Sequence, residues 1–148
     1  MSTLADPTVR SAMIDRVQQL TPDAKAQWGR MSAPQMLAHC TDALRMGLAE
    51  LPVTPKSAKL PRLAIVKWLF LNVLPFPKNA PTARELVSRA PAPFDEERAH
   101  LIALMGKVGT PDALTRFAEH PLFGPLTREQ WGQLAYKHLD HHLRQFGV

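Results

Sequence analysis

The window YKHLDHHLRQ, residues 136–145, holds three of the six histidines in the 148-residue chain. His138 and His142 stand four apart, so on a helix their rings lie on one face about one turn from each other. Two imidazoles at that spacing can share one metal ion, as they do on the HExxH helix of zinc peptidases. Those enzymes carry a glutamate base in the second place of the motif; here that place is Leu139, so peptidase chemistry is excluded. With Trp131 as zero and roughly 100° per residue, His142 falls near 20°, His138 near −20° and His141 near −80°. Ala135, Leu139, Leu143 and Phe146 occupy about 40–120° on the same wheel. His138 and His142 therefore border the core-facing stripe, and His141 is displaced toward its rim.

Two ligands seldom suffice. His39 is the best third candidate, at the edge of the apolar stripe of another helix with Met36, Ala43 and Met46 as neighbours at helical spacing. Helical bundles build metal sites from facing helices in this way. A set of three histidines leaves positions open for water or substrate, the catalytic arrangement rather than the structural one. Imidazole alone does not choose among zinc, nickel, iron and manganese. The competing reading is three core histidines that only pack and hydrogen-bond. His141 is expected at the rim or behind a ligand, and His100 on a solvated helix face. His120, before Pro121, is expected in a turn or at the site mouth. Cys40 follows His39 and is read as a small buried hydrophobe rather than a ligand or nucleophile. Asp42, one turn after His39, is a carboxylate that can orient an imidazole. No general base is identifiable. The chain has no glycine-rich phosphate loop, no Gly-x-Ser-x-Gly elbow and no carboxylate pair placed for glycoside chemistry.

The elements that position these residues are helical. Asp6-Pro7 reads as a helix start, followed by Val9, Met13, Ile14, Val17 and Leu20 at helical spacing, with Thr21-Pro22 as its end. Ser32-Ala33-Pro34-Gln35 is a capping box opening a second helix that carries His39 and runs to about Glu50. Residues 60–74, LPRLAIVKWLFLNVL, follow a connector from Pro52 to Pro61. Arg62, Lys67 and Asn72 interrupt this run and Pro75 closes it, short of the ~18–20 clean apolar residues a bilayer span requires. It is read as a buried helix, with an interfacial membrane helix as the alternative. Prolines 75, 77, 81, 91 and 93 mark a long connector, expected to lie ordered over the bundle with a turn of helix near residues 83–87. Asp95-Glu96-Glu97 opens another helix, ended by Gly109 or Thr110-Pro111. Residues 112–126 read as a loop with one short helical piece. Thr127-Arg128-Glu129-Gln130 is a second capping box, and the last helix runs to about Phe146 before Gly147. No strand signal is present. The expected fold is all-α: four main helices in a four-helix bundle, one domain over residues 1–148.

Composition narrows the function classes. The chain is 45% apolar and 21% charged, which fits a folded domain and excludes disorder throughout. One cysteine excludes a disulfide scaffold and suits a reducing, cytoplasmic setting. MSTLADPTVR carries no apolar run of the kind a secretory signal needs. The net charge of +5 is scattered, without the basic run or aromatic interleaving of a nucleic-acid binder. A mild positive field of this kind can steer an anionic small molecule.

Three pieces together resemble a known family: Trp28-Gly29-Arg30-Met31 leading to Gln35-Met36-Leu37-Ala38-His39, then His120-Pro121-Leu122-Phe123-Gly124, then Trp131-Gly132 and residues 136–147, YKHLDHHLRQFG. Over residues 7–147 the chain resembles the DinB/YfiT-like superfamily of metal-dependent enzymes, and more narrowly a bacterial subfamily of unknown function within it. The resemblance implies an up-down-down-up four-helix bundle with a long crossover, here the Pro-rich span 75–93. It implies a divalent metal on His39, His138 and His142. Characterised relatives include transferases and isomerases that use bacillithiol, mycothiol or glutathione, and some hydrolases; many are homodimers. The expectation is a metal-dependent enzyme, a thiol-dependent transferase or small-molecule hydrolase, with no nucleic-acid or membrane partner. The alternative is a non-catalytic metal- or small-ligand-binding bundle, a sensor or interaction protein.

Overall fold

A computed structural model describes residues 2–56, 59–110 and 117–148. Among them the chain forms five α-helices and no strand: α1 Pro7–Gln19, α2 Ala33–Gly47, α3 Ala64–Asn72, α4 Phe94–Val108 and α5 Arg128–Gln145. Two short 3₁₀ turns, Leu60–Arg62 and Arg84–Leu86, sit in the connectors.

Local chemistry sets the helix ends. The Asp6 carboxylate accepts from the Thr8 and Val9 amides at 2.8 and 3.1 Å, and Pro7 fills the first turn, where an amide hydrogen has no helical partner. Both capping boxes close: Ser32 with Gln35 on α2 and Thr127 with Gln130 on α5. The end of α5 is a Schellman motif. Gly147 takes the left-handed conformation (φ 80°) that favours glycine, and the Val148 and Gly147 amides donate to the Leu143 and Arg144 carbonyls, each at 3.1 Å. This lock lies one turn beyond His142. Arg16 of α1 ties the same end down, donating to Asp140 at 2.7 Å and to the Val148 carbonyl at 2.9 Å.

α1 and α2 each pack on both α4 and α5. Met13 and Val17, Leu37 and Cys40, Leu101 and Met105, and Leu139 and Leu143 meet in one shared core. A smaller cluster of Met46, Leu71, Leu86, Phe123, Trp131 and Leu134 fills the space under α3 and the connectors.

The Pro-rich connector between α3 and α4 is ordered and includes the 3₁₀ turn Arg84–Leu86, inside the span 83–87 expected from sequence. Arg89 latches it down. Its guanidinium forks onto Glu97 of α4, with both bonds 2.8 Å, and its Nε reaches Asp42 of α2 at 3.1 Å. Asp42 and Glu97 are almost wholly buried. Burial pushes the Glu97 carboxyl up, but the Arg89 fork and the Ala92 amide outweigh it and hold the pKa down at about 2.

Two expectations are corrected here, and a third lies partly outside the described residues. The run 60–74 is not a buried helix. Leu63 is extended (φ −68°, ψ 136°) and splits it into a 3₁₀ turn and a nine-residue helix, of which only Leu71 is buried while Trp68 is 53% exposed. Asp42 does not orient His39, because its oxygens are taken by Arg89 and Arg45. The short helical piece expected in 112–126 falls partly on residues 111–116, outside the described residues; from Phe117 onward the chain makes a turn closed by the His120–Gly124 bridge.

Arg89→Met would leave the buried Glu97 carboxylate without its cation and Asp42 with Arg45 alone, and losing one member of such a set costs about 3–5 kcal/mol. Urea denaturation is expected to show a loss of that size. The acid dependence has a definite sign. The Glu97 pKa in the folded chain lies below its unfolded value of about 4.3, so its stabilisation is complete above that value and lost as pH falls toward about 2. The urea midpoint is expected to drop across this window in the native protein and to drop less in Glu97→Gln.

Candidate metal centre

α2 and α5 bring His39, His138 and His142 together. The ring centroids form a nearly equilateral triangle, 4.8 Å from His39 to His138, 4.9 Å from His39 to His142 and 4.7 Å from His138 to His142. One ring nitrogen from each lies within 4.8 Å of the other two, an arrangement that can hold a metal ion. His39 and His142 are buried; His138 is partly so.

Hydrogen bonds fix the protonation of two rings. His39 Nδ1 lies 3.1 Å from the Leu86 carbonyl. A carbonyl only accepts, so Nδ1 carries the proton and Nε2 the lone pair. His142 Nδ1 lies 2.8 Å from Gln145 Oε1, and the Gln145 amide nitrogen donates to the Trp28 carbonyl at 2.6 Å. The Trp28 carbonyl thus fixes which way the Gln145 amide faces, and Nδ1 of His142 is the proton-bearing nitrogen. Gly29 makes room for this relay: it is left-handed (φ +79°), and a Cβ there would stand 2.6 Å from the Gln145 nitrogen.

His39 Nε2 and His138 Nε2 are 3.0 Å apart. Since the first bears a lone pair, the contact requires either a proton on His138 Nε2 or a cation shared by the two. All three rings are held neutral. Burial drives His142 down to about 3, aided by the His39 ring, and lowers His39 despite the Leu86 carbonyl and Asp42. His138 lies well below the usual imidazole range, through burial first and then through His142 and His39. Neutral imidazole is the form that binds a metal. The donor set, its charge state and its orientation fit a divalent ion.

The site opens on a cavity of about 1080 Å³, large enough for a drug-sized molecule. Its walls include Trp28, Phe70, Phe76, Phe123 and Trp131, and all three histidines line it. Phe76 packs on His138 at 5.4 Å and on His141 at 4.9 Å.

The other singled-out residues fall as follows. His141 stands at the rim, edge-on to Trp28 at 5.5 Å and outside the three-ring cluster. His120 is a turn residue and also lines the cavity; its Nδ1 accepts from the Leu122 and Phe123 amides, both at 3.2 Å. His100 is exposed. Cys40 is wholly buried in the core, its thiol pushed up by burial and donating to the Met36 sulfur at 3.7 Å. Sequence reasoning missed Leu86 and Gln145, the two acceptors behind the rings. Gln145 had a readable signal, its place three residues after His142 on one helix.

No curated protein and no solved structure matches the chain. A family model described as a protein of unknown function, DUF1569, matches residues 7–147, and across that span lie the tryptophan–glycine turn, His39 and the paired histidines of α5: the chain belongs to the DUF1569 family.

Proposed function

We propose that this protein is a divalent-metal-dependent enzyme acting on a small molecule, with His39, His138 and His142 as the ligands. The observation that carries the reading is the pair of proton-bearing Nδ1 atoms, on His39 and His142. Each donates to a held acceptor and so presents a bare Nε2 to the cluster. A bound ion would supply Lewis acidity, lowering the pKa of a water or thiol that takes an open position. The chain's own part is to hold the three rings neutral and to wall the cavity with aromatic rings. The open cavity favours an enzyme over a closed binding site.

Thiol-dependent transfer and hydrolysis remain the two reaction classes proposed. For the first, the thiol has to come from a small molecule, because Cys40 is sealed in the core and stays protonated. The fold belongs to the same proposal: α1, α2, α4 and α5 as a DinB-like, up-down-down-up bundle, with α3 and the Pro-rich segment as its crossover, in a reducing cytoplasmic setting.

Protein purified without a histidine tag is expected to carry about one divalent ion per chain by elemental analysis. His138→Ala with His142→Ala is expected to lose it; unchanged metal content in that variant overturns the reading. A panel of low-molecular-weight thiols with a generic electrophile, run beside simple ester substrates, separates the two reaction classes. Gln145→Leu removes the acceptor behind His142 and leaves all three ligands in place. Its affinity for zinc, measured by competition with a chromophoric chelator, is expected to fall about 10–100-fold, the usual effect of losing such a support.

A further inference from the structure

Charge and exposed apolar surface are both concentrated in one part of this chain. Between Glu50 and Glu85 lie Lys56, Lys59, Arg62, Lys67, Lys78 and Arg84 and no acidic residue. The rest of the chain holds 12 basic against 13 acidic residues, so this segment carries the whole positive balance. It also holds the exposed large hydrophobics Leu60, Leu63, Ile65, Trp68, Val73 and Leu74. Ile65 and Trp68 share the outer face of α3. The inner face is anchored: Leu71 is buried, Phe70 packs on Phe123 at 4.9 Å, and Lys137 of α5 donates to the Phe70 carbonyl. Among the described residues none of the six cations forms an ion pair. Lys67 donates to the Pro125 carbonyl and Lys78 lies over the Trp28 ring, both neutral partners that leave the charge in place.

From this we infer that α3 and its flanks, residues 59–74, dock the protein on an anionic membrane surface. The apolar residues project: Leu60 is 67% and Ile65 61% exposed. A protein partner would have to offer a concave apolar socket ringed with acids. A lipid interface accepts a projecting apolar ridge without one, takes Trp68 at headgroup level, and offers phosphates to the flanking cations. A second copy of the chain, paired face to face, would set these cations against one another with no carboxylate between them. The mode is peripheral, since among the described residues no helix is long and apolar enough to cross a membrane. Of the two readings of 60–74, a buried helix or an interfacial one, the exposure of Leu60, Leu63, Ile65 and Trp68 favours the second. The inference is independent of the metal.

The test is flotation of the full chain with vesicles of phosphatidylcholine alone and of phosphatidylcholine containing about one-third phosphatidylglycerol. Binding is expected on the anionic vesicles, weakening as salt is raised, with Trp68 quenched by brominated lipid. Ile65→Ser with Trp68→Ser is expected to weaken binding about tenfold or more, and Lys59→Gln and Arg62→Gln about fivefold each. All four side chains sit on exposed positions, so circular dichroism and the urea midpoint are expected to stay put and serve as the folding check. Absence of binding to anionic vesicles, or equal binding to both vesicle types untouched by these substitutions, overturns the proposal. So does a dimer in sedimentation equilibrium that Ile65→Ser with Trp68→Ser dissociates while vesicles capture nothing, which would assign the face to a second copy.

Discussion

His39 and His142 each give the Nδ1 proton to a held acceptor and keep Nε2 as the bare nitrogen, in a three-ring cluster that His138 completes. Lone pairs repel, and a buried acceptor without a donor costs about 1–3 kcal/mol. The chain nevertheless spends two backbone carbonyls and a buried glutamine on turning the rings this way. Leu86 holds His39, and Trp28 holds Gln145, which holds His142. A donor on both His39 and His142 facing away from the cluster makes sense when a cation is what the cluster faces.

The same carbonyl explains why the Pro-rich connector has to be ordered. Leu86 reaches His39 only if residues 73–93 lie across α2, and Arg89, three residues on, pins them there through buried carboxylates on two different helices. Prolines stiffen the connector and so lower the entropy lost on ordering it. They cannot aim it. Arg89 aims it, and a buried bidentate ion pair has the geometric specificity to do so. The orientation of the His39 ring on α2 is thereby coupled to an ion pair formed with α4.

What was legible in the sequence follows the range of the interactions. Helix starts were readable because caps are local: Ser32 with Gln35 and Thr127 with Gln130 are three residues apart. The clustering of three histidines was readable because helical spacing and the wheel place His138 and His142 together, and His39 lies on a stripe that must face inward. The acceptors were not. Leu86 contributes a carbonyl, which every residue has, and Gln145 meets Trp28 across 117 positions. Asp42 was read as able to orient His39; of its two actual partners, Arg45 stands a local three residues on, but Arg89 lies 47 positions away.

Helix α3 was misread for a different reason. Hydropathy reports the cost of contact with water and is silent on which apolar medium relieves it. A run such as AIVKWLFLN is apolar on nearly every face, and a nine-residue helix lying along α5 can bury only one of them. Phe70 looks into the aromatic wall of the cavity while Ile65 and Trp68, on the opposite side, are left bare. One short helix therefore separates the cavity that adjoins the histidines from an apolar, cation-flanked surface. An apolar molecule partitioned into a bilayer interface would need to cross the width of that helix, about 10–12 Å with side chains, to reach the cavity.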